Sequence, residues 1–401
     1  MDRQRSSVVA EGGRLAALDG LRGVLAVYVM LSHLAPFAAL PGWVQRPFAH
    51  GGAAVDVFFV LSGLVITRSL DRFGWRPGPF LRARARRILP VYLAVLACAV
   101  AIQPLALPFG AMGWVGPDNP GRFIWSGGWP AEGWAVLAAH LTLTHGLLPR
   151  GVLPWAWVGF LGAAWSLSTE FQFYVAIAGL AWAGGARWRG ALPWLFLGLA
   201  AAGLGWGAVA PAAWRFSRAF LPNAAQYFAL GIAGAAWLEA PANGRRHAAV
   251  LAATLGLCVL HGGVGKLAAP LVWVGCLAAQ RGGWPPARLL AAPLPRWLGA
   301  VSYPLYLVNE PVQKLLGMVL APAAGGSAVA FTALWVPLAV VLPVLAAWGL
   351  HRGIEAPRAP PCRGPAVSFY GRDPSSRHYV VTANQAEGAF RSRRCAPIAS
   401  V

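Results

Sequence analysis

Two residues of the first apolar stretch carry side chains that can hold an anion and move a proton, Arg22 and His33. They stand eleven apart, and eleven steps of about 100° make three turns plus roughly 20°, so a helix carries both on one stripe. At about 1.5 Å per residue the two are separated by roughly 16 Å along that helix. Asp19, three residues before Arg22, is placed to pair with it. Glu170 follows Trp165 by about a turn and a half in the fourth apolar run, which predicts a depth like that of His33. A carboxylate there would orient the imidazole and stabilise its cation when His33 acts as a general base. The same residues also fit a plainer arrangement: an Asp19 to Arg22 structural pair, an interfacial His33 and a helix-packing hydrogen bond at Glu170. Spacing alone does not separate the two. Ionisable groups inside a bilayer cost about 2.5–3.5 kcal/mol each on insertion scales, so each needs a partner or a task. The others within or beside the apolar runs are Asp56, Glu310, Lys314 and Glu355.

The elements that must position these groups are membrane helices. Of the 401 residues, 57% are hydrophobic and 11% charged, with 48 Gly and 33 Pro; a soluble domain carries about 25% charged residues. Apolar runs near the length that crosses a core of about 30 Å occupy approximately 15–38, 52–70, 88–108, 162–183, 191–210, 222–239, 247–261, 267–280, 297–320 and 329–350. The expected fold is an all-α transmembrane bundle of about ten helices, residues 15–358. It is preceded by a cytoplasmic segment, 1–14, and followed by a polar, basic, disordered cytoplasmic tail, 359–401. A cleaved signal peptide is the alternative for the opening run; Asp19, Arg22 and His33 inside it argue against that. The net charge of +20 does not indicate nucleic-acid binding, because the basic residues alternate between loops. One set holds Arg3, Arg5, Arg14, Arg68, Arg72, Arg76, Arg82, Arg84, Arg86, Arg87, Arg187, Arg189, Arg245, Arg246, Arg281, Arg288 and Arg296. The other holds only Arg46, Arg122, Arg150, Arg215, Arg218 and Lys266. Both ends of the chain are therefore expected in the cytoplasm.

Other features point to less specific roles. The five cysteines are scattered, without a C-x-x-C pair, and suggest neither disulfide framework nor metal. His140 and His145 are off the spacing of a helical metal pair and read as surface histidines. Arg82 to Arg87 read as a topology signal and headgroup contact, or as part of a phosphate site. Trp114, Trp125, Trp129, Trp134, Trp155 and Trp157 suit an interfacial belt or sugar stacking.

Six ordered motifs resemble the integral membrane acyltransferase 3 family, which includes O-antigen acetylases and related sugar O-acyltransferases. They are LAALDGLRGVLAVYVMLSH at 15–33, VDVFFVLSGLVI at 55–66, RARARRILPVY at 82–92, AAWSLSTEFQFY at 163–174, LGAVSYPLYLVNEPV at 298–312 and HRGIEAPR at 351–358. The resemblance covers most of 14–358. It implies an O-acyltransferase of the bacterial inner membrane that takes an acyl group, acetyl by default, from cytoplasmic acyl-CoA. The acceptor would be a hydroxyl of a glycan, lipid-linked sugar or glycoside, with no bound cofactor. His33, Arg22 and Glu170 would be catalytic, with Asp19, Asp56, Arg84, Arg87 and Tyr174 contacting substrate. Arg22, helped by Arg84 or Arg87, would hold the CoA phosphates while the pantetheine arm reaches His33, which acts as base or, less favoured, as a transient acyl carrier. Two departures stand out. Where the family commonly has Trp-His-x-Pro after Tyr-Leu, this chain has Asn309, Glu310 and Pro311, so a second histidine is missing. The residues after the last helix, 359–401, are not expected to form an esterase-like domain. The competing classes are a transporter or flippase, for which the sequence shows no repeated halves, and a non-catalytic membrane scaffold.

Overall fold

In the computed structural model, residues 2–282 and 285–358 are described, and the expected tail at 359–401 lies outside them. The long helices are α1 (Asp2–Leu34), α2 (Gly51–Arg72), α3 (Pro77–Ala101), α4 (Trp165–Gly184), α5 (Leu192–Val209), α6 (Ala225–Glu239), α7 (Gly244–Gly262), α8 (Ala268–Gly282), α9 (Pro293–Ala323) and α10 (Ala328–Leu350). Among the described residues there is no β-strand, only an isolated bridge between Pro149 and Phe216. Four segments are long and apolar enough to cross a membrane: Ala16–Phe37, Gly42–Arg72, Leu192–Val209 and Ala328–Glu355. Four of the other long helices fall short for identifiable reasons. α6 and α8 have 15 residues each and reach only about 22 Å, and α3 and α9 carry several charges.

α1 and α9 run side by side in the same direction, Gly23 beside Gly299 toward one end and His33 beside Asn309 toward the other. A Cβ on Gly299 would fall 2.1 Å from the carbonyl oxygen of Asp19, so only glycine allows this approach. α2 crosses α6 as closely, because a Cβ on Gly231 would fall 1.9 Å from the carbonyl oxygen of Val60. Arg189, just before α5, grips Asp71 near the end of α2 through Nε (3.0 Å to Oδ1) and Nη2 (2.9 Å to Oδ2), and its Nη2 also donates to Glu239 at the end of α6. This network marks the basic end of the bundle. Gly51, whose Cβ would meet Ser32 Oγ, starts α2 at the opposite end, where His33 also sits.

The structure corrects three expectations. The third helix begins at Pro77, eleven residues before the predicted span, so Arg82 to Arg87 belong to a helix and divide by face. Arg84 is buried and Arg87 half-buried, whereas Arg82 and Arg86 are exposed. His140 and His145 are not surface histidines. They are 0% and 1% exposed, with rings stacked 4.2 Å apart, because the segment between α3 and α4 folds back into the bundle. His140 Nδ1 donates to the Val136 carbonyl oxygen (2.9 Å) and His145 Nε2 to that of Ala164 (3.1 Å). Ser168 of α4 pins the turn between them, donating to the Leu143 carbonyl oxygen (2.6 Å) and accepting from Gly146 N–H (3.0 Å). Trp125 also leaves the supposed belt, 4% exposed and stacked on Phe37 at 4.4 Å, while Trp129, Trp134 and Trp155 remain exposed.

Candidate active site

A cavity opens between α1, α2, α3, α4 and α9. Its polar lining is Arg22, Arg84, Arg87, Glu170 and Tyr174, with hydroxyls from Ser62, Ser166, Ser302, Tyr303 and Tyr306. The apolar wall includes Val55, Phe58, Phe59, Val65, Ile66 and Ile88. The arginines reach it by helical periodicity. Arg84 and Arg87 are three apart on one face of α3, and Arg22 projects from α1 at the level of the α9 crossing.

The three guanidiniums are held differently. Arg84 is 7% exposed; its Nη2 donates to Ser69 Oγ (2.7 Å), its side chain lies over the Phe80 ring, and its buried Nε has no hydrogen-bond partner among the described residues. Arg87 lies 4.0 Å from Glu355, which also accepts from His351 Nδ1 at 2.8 Å. Arg22 makes no ion pair with Asp19 within 4.0 Å among the described residues. Asp19 and Arg22 are near enough to feel each other's charge, but the expected contact is not made, because Arg22 extends into the cavity, which Asp19 does not line.

Glu170 accepts from Ser62 Oγ at 2.8 Å and from the Tyr174 hydroxyl. It shares the cavity with Arg22, not the neighbourhood of His33, contrary to the depth expected from sequence. The reason lies in the preceding segment. Leu161, Ala163 and Ala164 are buried, and Ala163 N–H donates to Glu310 on α9 at 2.9 Å. α4 therefore starts already sunk to the level of the partner of His33, and Glu170 lies a further turn and a half inside. Asp56, also expected at the substrate, instead accepts from Lys266 Nζ at 3.1 Å and does not line the cavity.

His33 is half-buried at the distal end of α1, outside the cavity lining. Its Nδ1 lies 2.7 Å from Asn309 Oδ1. The end of α1 is clamped from two further sides. Gln313 Nε2 donates to the Met30 carbonyl oxygen (3.3 Å) and Trp335 Nε1 to that of Leu34 (3.0 Å). Tyr306, one turn before Asn309, lines the distal part of the cavity. Its hydroxyl is 2.8 Å from Ser166 Oγ and its ring stands edge-on to Phe58. Ser62, Ser69, Ser166 and Tyr306 were missed from sequence, and Asn309 was seen only as a departure without a role, because the ionisable groups of the apolar runs drew the attention. A search for buried hydroxyls and amides finds them. Glu310, Lys314 and Gln103 line a separate small cavity with Trp125.

Residues 15–352 match the family described as Acyltransferase domain. "Acyltransferase MdmB" of Streptomyces mycarofaciens is 34% identical over 170 residues, 40% of this chain and 38% of that protein. "Protein 2 in picA locus" of Rhizobium radiobacter is 36% identical over 92 residues, 22% of this chain and 45% of that protein. "Exopolysaccharide production protein ExoZ" of Rhizobium meliloti (strain 1021) is 46% identical over 54 residues, 14% of this chain and 17% of that protein. The chain thus spans less than half the length of each of these curated relatives. No solved structure matches.

Proposed function

The chain belongs to the acyltransferase domain family, and from that premise we propose that it is a multi-pass enzyme of the bacterial inner membrane that moves an acyl group, acetyl by default, from cytoplasmic acyl-CoA to a glycan or glycoside hydroxyl. The observation that carries this reading is the convergence of Arg22, Arg84 and Arg87, from two helices, on one cavity with a single lining carboxylate. Guanidiniums in such a setting suit phosphate, and the buried unpartnered Nε of Arg84 is a donor awaiting an anion. The apolar wall suits the pantetheine arm. A glycan acceptor is supported by the name of ExoZ, an exopolysaccharide production protein.

Donor and acceptor meet at His33. The CoA phosphates sit against Arg22, Arg84 and Arg87, and the arm extends past Phe58 and Tyr306 toward the distal end, over the roughly 16 Å between Arg22 and His33. His33 takes the proton from the acceptor hydroxyl as its oxygen attacks the thioester carbonyl. The C–S bond breaks as the tetrahedral adduct collapses, and the imidazolium returns the proton to the departing CoA sulfur. Glu170 compensates the arginines when the cavity is empty and holds Tyr174 and Ser62 in the wall. Ten crossings with both ends in the cytoplasm fit this reading, because the basic end then faces the compartment where acyl-CoA is made.

The division of labour is tested with the purified full chain, acetyl-CoA, and a soluble fragment of the host's surface glycan as acceptor. Arg22→Ala weakens acetyl-CoA binding by about tenfold or more. His33→Ala binds acetyl-CoA normally but loses turnover by about 100-fold or more. Normal donor binding by Arg22→Ala, or substantial turnover by His33→Ala, overturns the assignment.

A further inference from the structure

The hydrogen bond between His33 and Asn309 has a direction. Asn309 is completely buried, and its Nδ2 donates to two α9 carbonyl oxygens, of Leu305 (3.0 Å) and Tyr306 (2.7 Å). Carbonyl oxygens only accept, so the amide nitrogen must face them and Oδ1 must face the imidazole. Turning the amide over would set Oδ1 against two carbonyl oxygens, acceptor against acceptor, inside the bundle. The oxygen 2.7 Å from His33 Nδ1 is therefore a pure acceptor, and Nδ1 must carry the hydrogen. In the neutral ring the lone pair is then on Nε2, for which no hydrogen-bond partner exists among the described residues.

We propose that Asn309 is the positioning residue that fixes His33 as its Nδ1–H tautomer, so that Nε2 is the atom that takes the acceptor's proton. The inference rests on the reading of His33 as the base. Asn309 acts through the ring and need touch neither substrate. An aspartate in the same role would hold the ring by charge, whereas the amide holds it without changing protonation itself. The pair thus contains one titrating group, and free Nε2 is present over the whole range in which the ring is neutral. The clamps from Gln313 and Trp335 on the last turn of α1 keep the ring within reach of this amide.

Ring nitrogen-15 spectra of the full chain, labelled at histidine and assigned by difference from His33→Gln, read the tautomer directly and without acceptor. The expected neutral spectrum is Nδ1–H, changing toward an Nε2–H mixture in Asn309→Leu. An Nε2–H ring in the unaltered chain, or an unchanged tautomer in Asn309→Leu, overturns the proposal. Kinetics supply a second reading in case the leucine variant does not fold. Asn309→Asp keeps the acceptor but adds a charge that stabilises the imidazolium. The acid limb of its turnover profile therefore moves up by about one pH unit, with acetyl-CoA affinity unchanged; an unmoved limb also overturns the proposal. Asn309→Leu, where folded, loses turnover about tenfold or more at unchanged donor affinity. Because the spectra need no transfer, a wrong assignment of His33 as base shows up as a correct tautomer with undiminished turnover in His33→Ala, distinct from a failure of the Asn309 role.

Discussion

The position of Glu170 changes what its carboxylate can do. Bonded to Ser62 and Tyr174 on the cavity of Arg22, Arg84 and Arg87, it contributes a negative charge where the proposed function seats the donor phosphates. Glu170→Gln keeps an oxygen for both hydroxyls and removes that charge, and a carboxylate within reach of a phosphate repels it by an amount on the order of 1 kcal/mol in a partly hydrated site. Acetyl-CoA should bind about three- to tenfold tighter to Glu170→Gln, as measured by calorimetry, and the acid limb of turnover should stay where it is. A limb that moves to lower pH would mean that the carboxylate serves His33 after all. At this scale the sequence was informative but incomplete. Arg22, Arg84, Arg87, Glu170 and Tyr174 share one cavity and were all legible from residue type and motif. Asn309 was visible only as a departure from a pattern, because an amide inside an apolar run carries no charge to draw attention, and what it does depends on a neighbour 276 positions away.

Among the elements, the apolar runs marked where helices form, since hydrophobic length survives any detail of packing. Their ends were less legible. α3 begins eleven residues early because Arg84 and Arg87 turn inward while Arg82 and Arg86 turn outward, and a count of charges cannot tell the two faces apart. The segment between α3 and α4 was hardest to read, since its burial comes from contacts with distant helices. That segment holds the stacked histidines, and burial pushes His140 down to about 3 and His145 down to about 4, with the neighbouring ring adding to the effect at His140. Both rings are neutral in the fold, whereas an unfolded chain binds protons below about pH 6.5. Their contribution is therefore complete above about pH 6.5 and is lost as the pH falls, by about tenfold in the folding equilibrium per pH unit for each ring. Thermal unfolding in detergent should show the melting temperature dropping from pH 7 to pH 5, with a shallower drop in His140→Leu. A melting temperature that is flat over this range in the unaltered chain would mean that the rings are solvated.

For the whole molecule, the proposed function places donor binding and proton transfer at two levels along one axis. Arginines gather around the cavity, and further ion pairs among Arg68, Asp71, Arg189 and Glu239 lie at the basic end. His33 and Asn309 lie at the other end, eleven residues away along α1. The glycine approaches of α1 to α9 and of α2 to α6 hold these groups on closely packed helices, so the distance from Arg22 to His33 is fixed by the bundle, and in the proposed function the donor bridges it. Sidedness follows from that arrangement. The most direct test is transfer in sealed vesicles that hold the full chain in one orientation, with labelled acetyl-CoA on one side and the glycan fragment on the other. Transfer is predicted when acetyl-CoA meets the face carrying Arg82 and Arg86 and the glycan meets the face carrying His33, and none with the two exchanged. Equal transfer in the exchanged arrangement, or transfer only when both substrates share a face, would contradict the account.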